Sequence, residues 1–508
     1  MKSKKVCFSP LLIASKIVFL LVIGSVLSFS LLLNSCNSEI KEKVKDPIVF
    51  SVDQYPLTEY FINLDMDSLH YIYEHYEEDI YINVTLKIEG KEYEGVKMRI
   101  RGDSSRKLDK KSLKLKLPNG QKLEDGATKI NLNADYGDKT MMHQYLASKT
   151  MNDNGQLCFR TGYVPIYING DYFGLYLRVE NMDSMFLESR KLSNKDNMYK
   201  ATKDYSCLIN RKEVDNRWEK KANKKDTSNE DLKELIDKLN EVSIADFEQF
   251  IIDQFYYDEL VNIIALNMLI SNSSTYYHNY YMYHDLENDK WRMLPWDMDK
   301  TFNPDHIDYN YQKTAWAEGT NSGINTNTLI EKFLANQETL LSVRNRIEEL
   351  KSTFTRDIYK NEIDQLKEQI NSFILSDTTN KITSEKTWTK NLDNLLKFVE
   401  KRPNALLKQI DNKPINFMVN RDVEIDENTA LIKWEESIDP NGLAIFYTIH
   451  YSKQGGVKGN STAKLEGLST TEGLIENLTS GKYYFFVEAN NTHYKTYGHD
   501  IRNYFVIP

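Results

Sequence analysis

The segment KWRMLPWDMDKTF, residues 290–302, places two carboxylates, Asp297 and Asp299, directly after an apolar run. The segment before it, HNYYMYHD, alternates polar and apolar residues, and LENDK supplies a polar turn between the two. We therefore predict a β-hairpin that brings Asn279 to the same end as Asp297. Amide and carboxylate oxygens are hard ligands that suit Mg²⁺, so Asn279, Asp297 and Asp299 form a candidate magnesium site, which would indicate a phosphate-bearing ligand. The alternative is that the two acids cap a following turn.

A second stretch, MRIRGDSSRKLDKKSLKLKL at residues 98–117, reads as two strands around a loop rich in glycine, serine and basic residues. Gly102 permits a tight bend, and successive backbone N–H groups in such a loop form an anion-binding concavity. Phosphate oxygens are within reach of several loop side chains, with a lysine supplying charge: Ser104, Ser105 and Arg106, and Lys110 or Lys111. Two alternatives are a solvated basic hairpin and, less favoured, an Arg-Gly-Asp integrin ligand at residues 101–103.

The elements that must position these residues fall into three regions. Residues from about 48 to 225 read mainly as strands, with hairpin turns at Glu89–Gly90 and at residues 169–171. Residues from about 228 to 412 read mostly as helices, and Ser228 with Asp231 resembles a capping box at the first of them. A basic strand pair followed by a metal-binding hairpin is the order found in two-lobed phosphoryl-transfer enzymes.

Residues 413–508 change character. Short strands such as ALIKW, AIFYTIHYSK and GKYYFFVEANN are separated by turn residues at the spacing of a β-sandwich. Trp434, Tyr447 and the alternating residues from Tyr483 to Ala489 should point inward. The pattern resembles a fibronectin type III domain with Tyr483 at the tyrosine corner, which implies a spacer or a module for protein or glycan contact.

The motifs RIRGDSSR…KKSLKLKL, GDYFGLYLRVENMD, HNYYMYHD and WRMLPWDMDKTF closely resemble the CotH kinase family, the atypical kinases related to spore coat protein H. The resemblance covers residues 48–412. It implies an α+β fold, a two-lobed diverged protein-kinase-like domain, here followed by an all-β sandwich. It also implies ATP- and Mg²⁺-dependent phosphorylation of protein hydroxyls.

The resemblance also implies residue roles. The loop from Arg101 to Arg106, with Lys111 or its close alternative Lys110, would bind the ATP phosphates. The segment from Glu180 to Met182 would line the adenine pocket. Asn279 and Asp297 would bind the metal, and Asp299 would be a ligand or an orienting acid.

One position departs from the family pattern. The aspartate that commonly stands five residues before the metal-binding asparagine is replaced by Ser274, and residues 271–279 contain no acid. A serine is not a general base at neutral pH without help. Positioning and charge neutralisation supply most of the catalysis in phosphoryl transfer. The sequence therefore allows an active kinase, with Asp299 as a substitute base, or a nucleotide-binding pseudokinase.

The N-terminus predicts export. Residues 1–36 have a basic start, an apolar run and the ending LNSC, which resembles a bacterial lipobox with Cys36 as the lipidated residue. The alternative is a transmembrane anchor. Residues 37–47 suit a flexible tether. We expect a lipid-anchored protein of the bacterial cell envelope, on the periplasmic or outer-membrane surface.

Composition and cysteine spacing limit the remaining possibilities. Of the 508 residues, 41% are hydrophobic and 27% are charged, which is typical of a globular protein, and the net charge of −9 argues against nucleic acid as a partner. Cys158 and Cys207 lack metal-ligand spacing, and whether they pair is open. A surface-binding protein without catalysis is the alternative to a kinase. A carbohydrate-related role is a weaker idea, because no paired acids indicate a glycosidase.

Overall fold

The computed structural model describes residues 52–202, 206–209, 211–311, 327–420, 422–453, 463–498 and 504–508. The predicted signal peptide, its lipidated Cys36 and the tether lie outside the described residues. Among the helices that are described, none combines the length and the apolar character needed to span a membrane.

The N-terminal region forms a closed barrel with strand order β1-β2-β3-β4-β5-β7-β6, in which β1 and β6 pair in parallel. The alternation of apolar and polar residues explains how these strands form a barrel. In β2, for example, the residues that face inward are apolar and those between them are polar. The predicted turns at Glu89–Gly90 and Asn169–Gly170 both adopt positive φ, which suits tight hairpins. The barrel strands are β1 (Tyr60–Asn63), β2 (Ile82–Ile88), β3 (Lys91–Arg101), β4 (Ser112–Lys116), β5 (Lys129–Asn133), β6 (Thr161–Ile168) and β7 (Asp171–Val179).

A second sheet has strand order β11-β10-β8-β9 and follows the barrel. Its strands are β8 (Asn197–Ala201), β9 (Trp218–Ala222), β10 (Tyr280–Asp285) and β11 (Lys290–Pro295). The first helices within the described residues are α1 (Met66–Glu74), α2 (His143–Asp153), α3 (Ser184–Ser189) and α4 (Val214–Arg217). Helix α2 packs on β6, and its C-terminus is followed by Gly155 at positive φ, as the sequence predicts.

The helical region consists of α5 (Glu230–Glu241), α6 (Phe247–Gln254), α7 (Tyr257–Leu269), α8 (Thr328–Ala335), α9 (Gln337–Leu350), α10 (Arg356–Ser376) and α11 (Glu385–Ile410). Helix α7 is buried along nearly its whole length, so the prediction that this segment is core is confirmed. The predicted capping box is wrong. Helix α5 begins after Asn229, and the carboxylate of Asp231 instead contacts Tyr199 and His284, because those partners are buried beside it.

The C-terminal region packs two antiparallel sheets around an aromatic core. Its strands are β12 (Glu424–Asp426), β13 (Thr429–Lys433), β14 (Phe446–Ser452), β15 (Ala463–Leu468), β16 (Glu472–Ile475), β17 (Gly481–Asn490), β18 (Lys495–Tyr497) and β19 (Tyr504–Ile507). Trp434, Tyr447 and Tyr483 are buried as predicted. The backbone N–H of Thr479 donates to the hydroxyl of Tyr483 at 3.1 Å, a bond of the tyrosine-corner kind. The α+β fold with a β-rich C-terminal region is thus confirmed, whereas the fibronectin type III assignment stays a prediction.

Candidate active site

The hairpin of β10 and β11 places the predicted metal ligands at one end of the second sheet. Tyr280 pairs with Pro295, so Asn279 and Asp297 lie just beyond the last paired positions of the two strands. The hairpin prediction is confirmed. Asn279 has φ 62° and Asp297 has φ 53°, both in the left-handed region. Backbone held in this region by residues other than glycine concentrates at functional sites.

Hydrogen bonds join the loop before β10 to the segment after β11. The hydroxyl of Ser274 donates to the carbonyl of Asp297 at 3.3 Å, and the N–H of Phe302 donates to the carbonyl of Ile270 at 2.8 Å. The side-chain N–H₂ of Asn279 donates to the carbonyl of Ser274 at 3.1 Å. Since its nitrogen is used in this way, the amide oxygen of Asn279 is left as an acceptor. The three predicted positions therefore form one connected group.

Buried amide side chains stabilise the loop that precedes β10. Asn272 donates from its side chain to the Oδ1 of Asn267 at 3.0 Å, and Asn267 donates to the hydroxyl of Tyr276 at 3.1 Å. All three residues are buried. Polar groups that satisfy one another in this way away from water fix the backbone firmly, so the position of Asn279 is determined by the fold.

Asp299 lies in an open, acidic part of the site. It remains exposed, yet the surrounding protein limits its hydration and, together with the charge of Asp297, raises the pKa of its carboxyl to about 7. Both properties fit a side chain at the bottom of a cleft. Within the described residues, neither Asp297 nor Asp299 accepts a hydrogen bond from a following turn, so the capping alternative has no support.

A further acid, which the sequence reasoning missed, belongs to this cleft. Asp135 follows β5 with φ 42°. Burial and the charges of Asp138, Asp299 and Asp297 raise the pKa of its carboxyl well above the usual range. The signal in the sequence was NADYGD, two acids in a loop directly after a strand. Carboxylates that raise one another's pKa create a site that favours a cation.

These residues fit Mg²⁺ by their chemistry. In the described part of the chain, no three side chains of histidine, cysteine, aspartate or glutamate converge in a way that could hold a metal ion. Mg²⁺, however, commonly uses only one or two carboxylates and completes its shell with water and substrate phosphate oxygens. Asp297 and the amide oxygen of Asn279, with Asp299 beside them, supply such a partial set.

The predicted phosphate loop is placed differently from expectation. Its residues 104–107 form a 3₁₀ turn that carries Ser104 and Ser105. Arg106 donates to the carbonyls of Gly102 at 2.7 Å and Glu77 at 3.1 Å, and it forms an ion pair with Asp79. The guanidinium of Arg106 is occupied by these partners, and its phosphate-binding role stays a prediction.

The two lysines of that loop are also engaged elsewhere. Lys110 is buried and forms an ion pair with Asp377 at 2.6 Å. Lys111 donates to the carbonyl of Arg106 at 2.6 Å, and its ammonium lies 4.3 Å from the ring centroid of Tyr76. Neither contact involves the metal-binding group. These contacts tie the loop to its neighbours, and the phosphate-binding role of Lys110 or Lys111 stays a prediction.

Arg101 is the member of this segment that does lie beside the metal-binding group. Its guanidinium donates to the Oδ1 of Asn133. Burial lowers the pKa of Arg101, whereas the negative charges of Asp297 and Asp135 oppose that change. Arg101 therefore lies near Asp297, and its phosphate-binding role stays a prediction.

Glu180 and Met182 occupy the segment that leads out of the barrel. The carboxylate of Glu180 pairs with Arg160 at 2.8 Å and with Arg190 at 2.6 Å. Burial would raise the pKa of Glu180, but the two arginines outweigh it and hold that pKa below the usual value. Met182 is buried. The adenine-lining role stays a prediction, and the carboxylate of Glu180 is occupied by its arginine partners.

The family model described as CotH kinase protein matches residues 98–406, which include the barrel strands from β4 onward, the acidic cleft and the helical region. The chain belongs to the CotH kinase family. It is 27% identical over 289 residues to the inner spore coat protein H of Bacillus subtilis (strain 168), covering 55% of this chain and 78% of that protein.

Among solved structures, this CotH kinase family member resembles the Helicobacter pylori proinflammatory kinase CtkA, at 10% identity and a TM-score of 0.26, over 58% of this chain and 92% of CtkA. It also resembles a chain of the Shewanella oneidensis MR-1 HipA, HipB and operator DNA complex, at 9% identity and a TM-score of 0.26, over 59% of each chain. Family membership rests on the sequence match, since TM-scores of this size carry no further argument.

Proposed function

We propose that this CotH kinase family member is an atypical protein kinase that transfers the γ-phosphoryl group of ATP to a protein hydroxyl with Mg²⁺. The observation that supports this most strongly is the register of β10 and β11, which brings Asn279 and Asp297 to the same end of the hairpin. Both have left-handed backbone in a cleft that also contains Asp299 and Asp135.

Bound Mg²⁺ would neutralise phosphate charge during transfer. Asp297 and Asn279 would hold it, and the bond from Asn279 to the carbonyl of Ser274 keeps the amide oxygen turned toward that position. Arg101 would add positive charge beside the transferred group. Asp299 is the acid nearest to replace the missing base, because the hydroxyl of Ser274 is buried and bonded to the carbonyl of Asp297.

The second candidate is a nucleotide-binding pseudokinase or surface-binding protein, which Ser274 favours. For either function we propose export as a lipoprotein anchored through Cys36 in the bacterial cell envelope. The C-terminal sandwich is then a module for protein or glycan contact, and the partner of a kinase is a protein substrate rather than nucleic acid.

The test uses the chain without its predicted signal peptide. Calorimetry should show Mg²⁺-dependent ATP binding by the wild type, and radiolabelled ATP should show transfer to the protein itself or to a substrate rich in serine and threonine. Asp297→Asn should abolish both Mg²⁺ dependence and transfer. Glu287→Gln, in the turn at the other end of the same hairpin, is the matched control and should retain both.

The outcomes separate the candidates. Binding together with transfer supports the kinase. Binding without transfer favours the pseudokinase. If the wild type does not bind ATP, both the kinase and the pseudokinase hypotheses are excluded, and the surface-binding protein is left.

A further inference from the structure

Arg101 and Lys200 lie near Asp297 on two different sheets, and Lys114 lies near Arg101 on the strand next to it. Arg101 on β3 and Lys114 on β4 project from the outer face of the barrel, since their neighbours Ile100, Leu113 and Leu115 fill its interior. Lys200 projects from β8 of the second sheet. Each of the three is half-buried. We refer to Arg101, Lys114 and Lys200 as the basic cleft.

The contacts of Lys200 locate this cleft next to the metal-binding group. The ammonium of Lys200 lies 5.1 Å from the ring centroid of Trp296, the residue that precedes Asp297. Lys200 also pairs across the sheet with Tyr281, two residues after Asn279. Burial, and then positive neighbours that include Arg101 in both cases, lower the pKa of Lys114 and of Lys200 to about 8. Arg101 is therefore close enough to each lysine to repel it.

In the part of the chain that the structure describes, the lysines of the basic cleft have no directly bonded counter-charge, although the carboxylates of Asp297 and Glu219 lie near Lys200. Within the described residues, the ammonium groups of Lys114 and Lys200 form no hydrogen bond or ion pair, and the hydrogen-bond partner of Arg101 is the neutral side chain of Asn133. Other cations of this region are paired, as buried Lys110 is with Asp377 and half-buried Arg106 is with Asp79. Buried charges are normally paired, so three unpaired cations form a site that an anion would complete.

We infer that the basic cleft, rather than the loop of residues 102–111, holds the polyphosphate chain of a nucleotide, with Lys200 and Lys114 as phosphate-binding residues on facing sheets. This inference deepens the proposed function and rests on its use of a nucleotide. A single carboxylate would neutralise one of the three cations. A triphosphate carries several linked negative charges, and one end of it would lie at Asp297, where Mg²⁺ would also bind phosphate oxygens.

The positions of the three cations on two sheets have a structural consequence. Arg101 and Lys114 belong to the barrel, whereas Lys200 belongs to the sheet that carries the metal-binding hairpin. An anion that contacts all three therefore bridges the two sheets. We expect the bound polyphosphate to stabilise their arrangement even when no metal is present.

The experiment uses the chain without its predicted signal peptide and inorganic triphosphate as the probe, in EDTA so that no metal contributes. Calorimetry should detect binding by the wild type. Lys200→Met and Lys114→Met should each weaken it about 10–100-fold, the range for one charge-assisted contact in a half-buried site. Binding of adenosine should be unchanged in both variants.

Matched lysines serve as controls. Lys116→Met alters the same strand two residues further on, at an exposed position. Lys220→Met alters β9 on the opposite face of the second sheet, where Lys220 pairs with Asp226 at 2.9 Å. Both controls should bind triphosphate within about threefold of the wild type, as changes remote from a site do.

Melting temperatures show whether the variants are folded. Without anion, Lys200→Met and Lys114→Met should melt at or above the wild type, because each removes an unpaired half-buried charge. Triphosphate should raise the melting temperature of the wild type more than that of either variant. A variant that melts higher yet binds more weakly has lost a ligand contact rather than its fold.

The outcomes are distinct from those of the kinase test. Triphosphate binding that depends on Lys200 and Lys114 supports this inference even if no phosphate is transferred, a result that would end the kinase proposal alone. Equal binding by the wild type and both variants, or no triphosphate binding by the wild type, overturns the inference. It is also overturned if the wild type transfers phosphate and Lys200→Met does so equally well.

Discussion

The end of the β10–β11 hairpin and the loop of residues 102–111 were both predicted to bind parts of one nucleotide–metal complex. The two regions differ in how their polar side chains are used. At the hairpin end, Asn279 and Asp297 face a common cleft with little to occupy their oxygens. In the loop, Arg106 and Lys110 are committed to carboxylates. One region keeps its polar groups available for a ligand, whereas the other uses them to hold the fold together.

The difference shows which polar groups can be assigned from sequence. The side chains of Asn279 and Asp297 are short, so strand pairing alone fixes where their oxygens lie. Lysine and arginine side chains are long, and their charged ends meet whatever the fold places nearby. Lys110 meets Asp377, which lies 267 positions away in the chain. A basic residue in a glycine-rich loop therefore indicates a phosphate site much less specifically than two acids at a strand end.

The largest effect should follow from removing the amide of Asn279. Asn279→Gly keeps the left-handed backbone accessible and removes the amide oxygen, so we expect phosphoryl transfer to fall about 100-fold or more. Asn279→Asp should retain a metal-binding oxygen and most of the Mg²⁺ dependence. Initial rates over a Mg²⁺ titration measure both. If Lys111→Met lowers the rate as much as Asn279→Gly does, the contrast between hairpin end and loop is false.

Lys110→Met should have the next largest effect, on stability. It leaves the buried carboxylate of Asp377 without its cation, which typically costs about 3–5 kcal/mol of unfolding free energy. Adding Asp377→Asn removes the stranded charge and should recover much of the loss. Urea unfolding measures the free energies. The affinity of folded Lys110→Met for Mg²⁺-ATP should stay within about threefold of the wild type, and a larger loss would return Lys110 to the nucleotide site.

Much of the fold follows from local sequence patterns. Alternation predicts the barrel strands, the Asn169–Gly170 turn predicts the β6–β7 hairpin, and the apolar length of α7 predicts a core helix. These features depend on neighbours in the chain, so short stretches suffice to predict them. The closure of the barrel through parallel pairing of β1 with β6 depends on contacts between distant segments, and no single stretch indicates it.

The same distinction between local patterns and long-range contacts applies to the candidate site. The hairpin end with its candidate metal ligands could be predicted because strand register is a local property of one hairpin. Asp135 and Lys200 were missed because they belong to the loop after β5 and to β8, which reach the cleft only through tertiary packing. The alternating pattern of SLKLK and MYKA places Lys114 and Lys200 on a single strand face, but nothing local to either strand identifies what that face meets.

Arg106→Gln should have a smaller effect than Lys110→Met. It removes the contacts of the guanidinium with Asp79 and with the carbonyls of Gly102 and Glu77, at a site that is partly exposed. We expect a loss of about 1–2 kcal/mol of unfolding free energy and no change in triphosphate affinity. Lys107→Gln, the exposed neighbour, should change stability by less than about 0.5 kcal/mol. Weaker triphosphate binding by Arg106→Gln would restore the loop as a phosphate site.

The smallest effect concerns the opposite face of the metal-binding hairpin, where His284 stacks on Trp291. Its Nδ1 lies 2.8 Å from Asp231, and its Nε2 lies 3.0 Å from Asp289. Burial lowers the pKa of His284, but these two carboxylates outweigh it, and the pKa is raised above the usual 6.5. The protonated ring donates to both acids, so its stabilisation is complete below the unfolded pKa and is lost as pH rises through the folded one.

Melting temperatures of the wild type and His284→Gln between pH 5.5 and 9 test the direction of this pH dependence. The wild type should be the more stable at the acid end, and the difference should shrink with rising pH. A difference that grows with pH would mean that the neutral ring is the stabilising form. Because these contacts anchor the hairpin from behind and leave the oxygens of Asn279 and Asp297 untouched, His284→Gln should leave the Mg²⁺ dependence of nucleotide binding unchanged wherever the protein is folded.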